Sequence, residues 1–153
     1  MRSRGWNTSG NGFGVAPLAG LNILVVDDHS TNRLVGAMTV EAMGARASTA
    51  ADGETAIAMA SQEAFDIILM DVQMPGMDGL ETTRRIRALS GEAARTPIVA
   101  LTADITAERR LACVQAGMDA VAIKPILPAQ LLAAILPFVD ATPPGSVSVA
   151  ASA

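Results

Sequence analysis

Residues 67–79 read Ile67-Ile68-Leu69-Met70-Asp71-Val72-Gln73-Met74-Pro75-Gly76-Met77-Asp78-Gly79. The first four form an unbroken apolar run, the pattern of a strand buried on both faces. A carboxylate follows at once. Pro75-Gly76 then marks a turn. Asp78 with Glu81 three residues on has the capping-box spacing of a helix start, continued by Leu80, Thr83 and Ile86. A buried strand that carries an acid to its carboxyl end and hands over to a helix is one unit of a parallel β-α fold.

The same unit recurs on either side. Ile23-Leu24-Val25-Val26, Ile98-Val99-Ala100-Leu101 and Ala120-Val121-Ala122-Ile123 are further apolar runs, and residues 46–50 are polar enough for an edge strand. Helical spacing appears in residues 31–43 (Leu34, Val35, Met38, Ala42), closed by Gly44, and in residues 106–116, closed by Gly117. Residues 53–62 and 128–137 complete the helices, with Pro128 suited to a first helical turn. Five β-α units predict an α/β fold, a doubly wound parallel sheet with helices on both faces. Residues 1–20 and 141–153, rich in Gly, Ser, Asn, Pro and Ala, read as flexible tails around a domain of residues 21–140. Trp6 and Phe13 have no periodic neighbours in the first of these.

Composition narrows the function. The chain has 153 residues, a net charge of −4 and no basic run, which argues against nucleic-acid binding. It lacks an apolar stretch near the ~20 residues of a membrane span. The N-terminus has no apolar signal core, and the cytoplasm is the expected compartment. Cys113 is the only cysteine, so there is no intrachain disulfide or thiolate cage, and it is expected to pack as a small apolar group.

In open parallel sheets the functional groups gather at the carboxyl ends of the strands. Asp27 and Asp28 follow the first run, Asp71 the third, Thr102 the fourth and Lys124 the fifth. Three carboxylates on one rim repel each other and call for a cation. All-oxygen ligands with room for water suit Mg²⁺. With no His or Cys cluster, zinc is not indicated, and the single His29 beside the acid pair reads as a solvated residue at a helix start. With a cation and Lys124 to neutralise phosphoryl oxygens, and Thr102 to donate a hydrogen bond, a carboxylate can act as the nucleophile in phosphoryl transfer. Singly, each of these residues has a plainer explanation: Asp52 and Asp78 read as helix caps, Thr102 alone would be another, and Lys124 alone a surface lysine. Asp27, Asp28 and Asp71 gain their meaning from falling on one rim.

Leu24-Val25-Val26-Asp27-Asp28, the stretch from Met70 to Gly79, Leu101-Thr102-Ala103, and Ala116-Gly117-Met118-Asp119 followed by Lys124-Pro125 resemble the receiver domains of response regulators and hybrid histidine kinases. The resemblance covers residues 21–140. It implies a flavodoxin-like sheet of strand order 2-1-3-4-5 with five helices. It implies Asp71 as phosphoacceptor. Mg²⁺ would be held by Asp28, Asp71 and the Gln73 backbone carbonyl, with Asp27 acting through water. Thr102 and Lys124 would bind the phosphoryl group, and Lys124–Pro125 is a candidate cis bond. Gln73 and Asp104 occupy the positions that tune phosphate lifetime, and the small Ala103 leaves the acyl phosphate reachable.

Some positions depart from the family pattern. Val121 stands where an aromatic switch residue is usual, so signalling must run through Thr102 and loop movement. Leu127 replaces a capping Asp before Pro128. Residues 126–139 contain no charged residue. They are read either as a covered core helix or, preferentially, as a partner or homodimer face including Val121, Leu127, Ala134 and Phe138.

The function implied is a two-component phosphorelay switch, not a turnover enzyme beyond self-catalysed phosphorylation and dephosphorylation. The donor is a histidine kinase or histidine phosphotransfer protein docking near Asn32, Arg33 and Val35. The output is a downstream protein, because the 13 residues after position 140 are too few for a winged helix. The motif spelling and Asn32-Arg33 lean towards the hybrid-kinase type. The alternative is a receiver-like module that binds partners without phosphorylation. An aspartyl-phosphate phosphatase would need a second acid where Gln73 stands. A flavin module would need a phosphate-cradling loop and aromatics, where the chain has Asp27-Asp28 and no tyrosine.

Overall fold

The computed structural model describes residues 16–139. Among them lie β1 (Asn22–Val26), α1 (Ser30–Ala42), β2 (Arg46–Ala50), α2 (Gly53–Gln62), β3 (Ile67–Asp71), α3 (Gly79–Arg87), β4 (Ile98–Thr102), α4 (Ala107–Ala116), β5 (Ala120–Ile123) and α5 (Pro128–Ile135). The strands form one five-stranded sheet in the order β2-β1-β3-β4-β5. Every neighbouring pair is parallel. This is the doubly wound sheet expected from the β-α repeat, with β2 on the edge.

Alternation along each inner strand divides the core in two. Leu24, Val26, Ile68, Met70 and Ala100 point to one face and meet Ala56 and Ala60 of α2, Ile86 of α3 and Cys113 of α4. Ile23, Val25, Leu69, Val99 and Leu101 point to the other and meet Val40 of α1 and Leu131 and Ile135 of α5. Each fully buried Leu, Ile, Val or Met contributes roughly 1.5–3 kcal/mol relative to exposure. With few aromatics available, the core consists almost wholly of these medium-sized side chains and alanine.

Helix starts follow the sequence cues. Asp52 accepts from the Thr55 amide, Asp78 from Glu81, and Thr106 from Arg109. The Glu81 carboxylate does not reach back to close the capping box; it pairs with Arg84 and Arg85 instead. Leu127 gives α5 no side-chain cap.

Three expectations change in detail. The apolar stripe that identifies α1 is not the face it buries: Leu34, Val35 and Met38 are 59%, 43% and 58% exposed. The buried face is Gly36 and Val40. A Cβ at Gly36 would lie 3.0 Å from Val25 Cγ1, so the absent side chain lets the helix lie against β1. Next, residues 16–20, expected in the N-terminal tail, form a turn on the domain. Leu18 is fully buried, and its amide donates to the Met43 carbonyl at 2.8 Å. The expectations for residues 1–15 and 140–153 lie outside the described residues. Finally, a 3-10 turn at Gly91–Arg95, without apolar periodicity, precedes β4.

Two sets of contacts fasten the sheet at its two ends. Arg87, at the end of α3, donates to the carbonyls of Gly117, Ala94 and Thr96 and pairs with Asp119 at 2.7 Å. The same Asp119 oxygen accepts from the Ile98 amide. The α4–β5 turn is thus tied to the start of β4. At the opposite end, the loop after β3 folds back so that the Gly79 amide donates to the Val72 carbonyl at 2.9 Å. A Cβ on Gly79 would collide with the Asp71 carbonyl and with Val72 Cα, both backbone. Gly79→Ala is therefore expected to cost about 2–3 kcal/mol in a urea unfolding titration. A loss below about 0.5 kcal/mol would show that the loop is not held this tightly.

Candidate functional site

The strand ends bring the predicted residues together. Asp27 follows β1 and is 1% exposed, Asp71 ends β3 at 2%, and Thr102 ends β4 at 2%. Lys124 follows β5, and its bond to Pro125 is cis. Its ammonium reaches across the rim, with Nζ 3.1 Å from Asp71 Oδ1 and 3.4 Å from Asp27 Oδ2. One cation therefore stands between two buried anions from different strands.

Local hydrogen bonds aim the carboxylates. Asp71 Oδ1 accepts from the Gln73 amide at 3.2 Å as well as from Lys124. Asp27 Oδ1 accepts from the His29 amide at 2.9 Å. Arg33 Nη1, one turn into α1, donates to the Asp27 carbonyl at 2.8 Å. Sequence reading assigned Arg33 to partner docking and missed this contact, for which i→i+6 spacing carries no recognised motif.

One cation does not balance the site. Asp27 Oδ2, Asp28 Oδ1 and Asp71 Oδ2 are buried and have no hydrogen-bond partner. Unpartnered buried carboxylate oxygens are costly unless a cation or proton compensates them. The Asp71 carboxyl is accordingly pushed up to about 6. Burial is the main cause; the Lys124 hydrogen bond pulls it down, the Asp27 charge pushes it up, and the Gln73 amide opposes. Ligand atoms of Asp27, Asp28, Asp71 and His29 lie within 4.8 Å of one another, close enough to surround one divalent ion. The three carboxylates of this set fit a hard cation such as Mg²⁺. His29 enters this group although sequence reading left it as a solvated residue. It is 68% exposed at the start of α1, with Nδ1 3.3 Å from Asp28 Oδ1.

The remaining residues divide between the rim and its surroundings. Thr102 Oγ1 lies against the next loop, accepting from the Asp104 amide at 3.0 Å and contacting the Asp104 carbonyl at 3.3 Å. Asp104 faces α4: it accepts from the Thr106 amide, which leads in lowering its pKa, and lies 3.8 Å from Arg109 Nε. Gln73 and Ala103 are exposed beside Asp71 and Thr102.

Val121, Leu127, Ala134 and Phe138 do not form one exposed apolar face. Val121 packs half-buried on the α2–α3–α4 side, and Ala134 and Phe138 on the α1–α5 side. Of the four, Leu127 is the exposed large side chain, at 49%. Position, rather than the lack of charge in α5, decides this: Leu131 and Ile135 anchor the helix and draw their neighbours inward. The exposed apolar side chains missed by sequence reading are Ile105, Leu111, Val114 and Ile123.

Comparison with known proteins agrees with this geometry. Residues 23–136 match the family model for the response regulator receiver domain. Over 116 residues, 74% of the chain, it is 44% identical to the sensor protein GacS of Pseudomonas syringae, of which the match covers 13%. It is 43% identical over 104 residues to the sensor histidine kinase RcsC of Salmonella typhimurium, covering 68% of this chain and 11% of that protein. The chain thus spans only about an eighth of the length of such relatives. Among solved structures, the receiver domain of the sensor histidine kinase PA1611 from Pseudomonas aeruginosa is 37% identical with a TM-score of 0.73. The match covers 80% of this chain and 99% of that one, which has a magnesium ion coordinated in its active site cleft. The chemotaxis protein CheY4 of Vibrio cholerae is 33% identical with a TM-score of 0.75, covering 79% of this chain and all of the other. Among the described residues no helix is long and apolar enough to cross a membrane.

The raised Asp71 carboxyl has a consequence for stability. A carboxyl whose pKa rises on folding binds its proton more tightly in the folded chain. Its stabilising contribution is therefore complete below the ordinary value of 3.8 and is lost as pH rises through about 6. In the absence of divalent cations, Asp71→Asn should stabilise the protein by on the order of 1–2 kcal/mol at pH 7.5. The gain should fade towards pH 4. Urea titrations at both pH values check this, and an equal gain at both would rule out ionised Asp71 as the source.

Proposed function

We propose, from the premise that this chain belongs to the response regulator receiver family, that Asp71 takes a phosphoryl group from a phosphohistidine donor and that the resulting acyl phosphate alters a protein-binding surface. The observation that carries this reading is the convergence of Asp71, Asp27, Asp28 and Lys124 on one rim, with carboxylate oxygens still lacking partners.

An Asp71 carboxylate oxygen forms the new O–P bond while the donor's P–N bond breaks, and the electron pair of that bond remains on the imidazole nitrogen. Asp28, Asp71 and the Gln73 carbonyl would hold Mg²⁺, with Asp27 acting through water. A bound Mg²⁺ supplies positive charge against the phosphoryl oxygens. Lys124 is already 3.1 Å from Asp71 and needs only a short shift to contact one of those oxygens. The chain catalyses its own phosphorylation and dephosphorylation, with Gln73 and Asp104 flanking the acyl phosphate and adjusting its lifetime.

Output begins with Thr102. Its hydroxyl is engaged by the Asp104 backbone. Turning towards a phosphoryl oxygen would release those contacts and shift the loop leading to α4. Val121 offers no aromatic ring to follow, so the loop carries the change. Ile105, Leu111, Val114, Ile123 and Leu127 are exposed on the elements that would move, and a downstream protein or a second copy of the chain would be received there. Leu34, Val35 and Met38 are exposed on α1, whose start adjoins the acid rim. They give a histidine kinase or histidine phosphotransfer protein an apolar surface on which to present its imidazole. Such a donor places the domain in the cytoplasm.

Incubation with Mg²⁺ and acetyl phosphate, followed by intact-mass measurement, tests the reading. One added phosphoryl group is expected, removed by hydroxylamine and absent in Asp71→Asn. If wild type shows no adduct and beryllofluoride causes no change in its spectrum, phosphorylation is excluded. The domain would then be a module that binds partners through these surfaces without it.

A further inference from the structure

His29 lies at the rim, and the phosphoryl mechanism gives it no task. Its Nδ1 lies 3.3 Å from Asp28 Oδ1 and 3.6 Å from Asp27 Oδ1. Despite that distance Asp28 Oδ1 has no hydrogen-bond partner, so the ring nitrogen and the carboxylate are close but not aligned to share a proton. Asp71 Oδ2 likewise has no hydrogen-bond partner, and Asp27 Oδ2 has only the Lys124 ammonium 3.4 Å away; the two residues are 2% and 1% exposed. Four ligand atoms, three carboxylate oxygens and one imidazole nitrogen, are mutually within 4.8 Å. An imidazole nitrogen and carboxylate oxygens this close together can share one cation.

The ring is free to do this. His29 forms the N-cap of α1, but its side chain makes no capping hydrogen bond. The cap geometry instead comes from the backbone, whose amide binds Asp27 Oδ1 and whose carbonyl accepts from Arg33. The chain direction at the cap therefore places the imidazole beside the acid pair, with Nδ1 3.3 Å from Asp28 Oδ1.

We propose that His29 is a nitrogen ligand to the cation of this rim, making the site a mixed oxygen–nitrogen site that favours borderline transition metals such as Co²⁺ or Ni²⁺ over Mg²⁺ more strongly than a carboxylate-only rim would. This rests on the acid rim being a cation site. Imidazole is a poor ligand for Mg²⁺ and a good one for later first-row divalent ions, whose affinities rise from Mn²⁺ to Ni²⁺. The identity of the bound metal would then depend on one exposed side chain that is not itself the phosphoryl acceptor.

Calorimetric titration of tag-free, metal-free protein with Co²⁺ and with Mg²⁺ tests this, along with the visible absorption of bound Co²⁺. His29→Ala should weaken Co²⁺ binding by about tenfold or more, the low end of what lost coordination support costs, and change the Co²⁺ spectrum. It should leave Mg²⁺ affinity within about twofold. Asp28→Asn should weaken both metals. If His29→Ala leaves the Co²⁺-to-Mg²⁺ affinity ratio unchanged, the imidazole is not a ligand. If Co²⁺ binds Asp28→Asn as tightly as wild type, it is held by the surface histidine alone, and the mixed site is also wrong. If wild type binds neither metal, the acid rim is not a cation site at all, which distinguishes failure of the underlying reading from failure of the histidine's role.

Discussion

The Lys124 ammonium between Asp27 and Asp71 is the contact on which the rest of the rim depends. It joins the carboxyl ends of three strands, with Nζ at 3.1 and 3.4 Å from oxygens on residues that are almost fully buried. One positive charge facing several negative ones leaves the site short of cations. That deficit leaves carboxylate oxygens without hydrogen-bond partners, while burial is the main cause of the raised Asp71 carboxyl, with the Asp27 charge adding to it. A site left unbalanced in this way can receive a divalent ion without first having to break a satisfied network.

Holding such a rim open requires a stiff frame. The inner strands are buried on both faces, so their ends have little freedom to relax the repulsion. The loop after β3 is pressed against the strand end at Gly79, and Arg87 with Asp119 fastens the α4–β5 turn to β4. The β4–α4 loop is fastened locally instead: Thr102 and Asp104 contact each other, and Asp104 accepts from the Thr106 amide.

The exposed apolar side chains form two groups. Leu34, Val35 and Met38 lie on α1, while Ile105, Leu111, Val114, Ile123 and Leu127 surround α4 and β5. One group lies on the first helix after the acid pair and the other follows the Thr102 loop. An input surface and an output surface can thus be separate while both adjoin one phosphoryl group. The sensor kinases it resembles are longer proteins, of which the chain matches about an eighth.

Much of this is written locally in the sequence. Unbroken apolar runs, glycines after helices and acids after strands are short-range signals, and they determine the β-α order, the caps at Asp52 and Asp78, and the residues that reach the rim. The parallel topology follows because each helix must return the chain to the same end of the sheet. What the sequence did not determine are facts about neighbours far apart in the chain. Whether α5 hides its uncharged surface, and which face of α1 is buried, depend on how closely a helix approaches a strand. For α1 this turns on the side chain absent at Gly36. The Arg87 clamp, the Arg33 contact and the place of His29 beside Asp28 likewise exist only once the chain has folded. Periodicity records which residues are apolar and polar; distance and burial, which decide whether a charge is paired, belong to the tertiary structure.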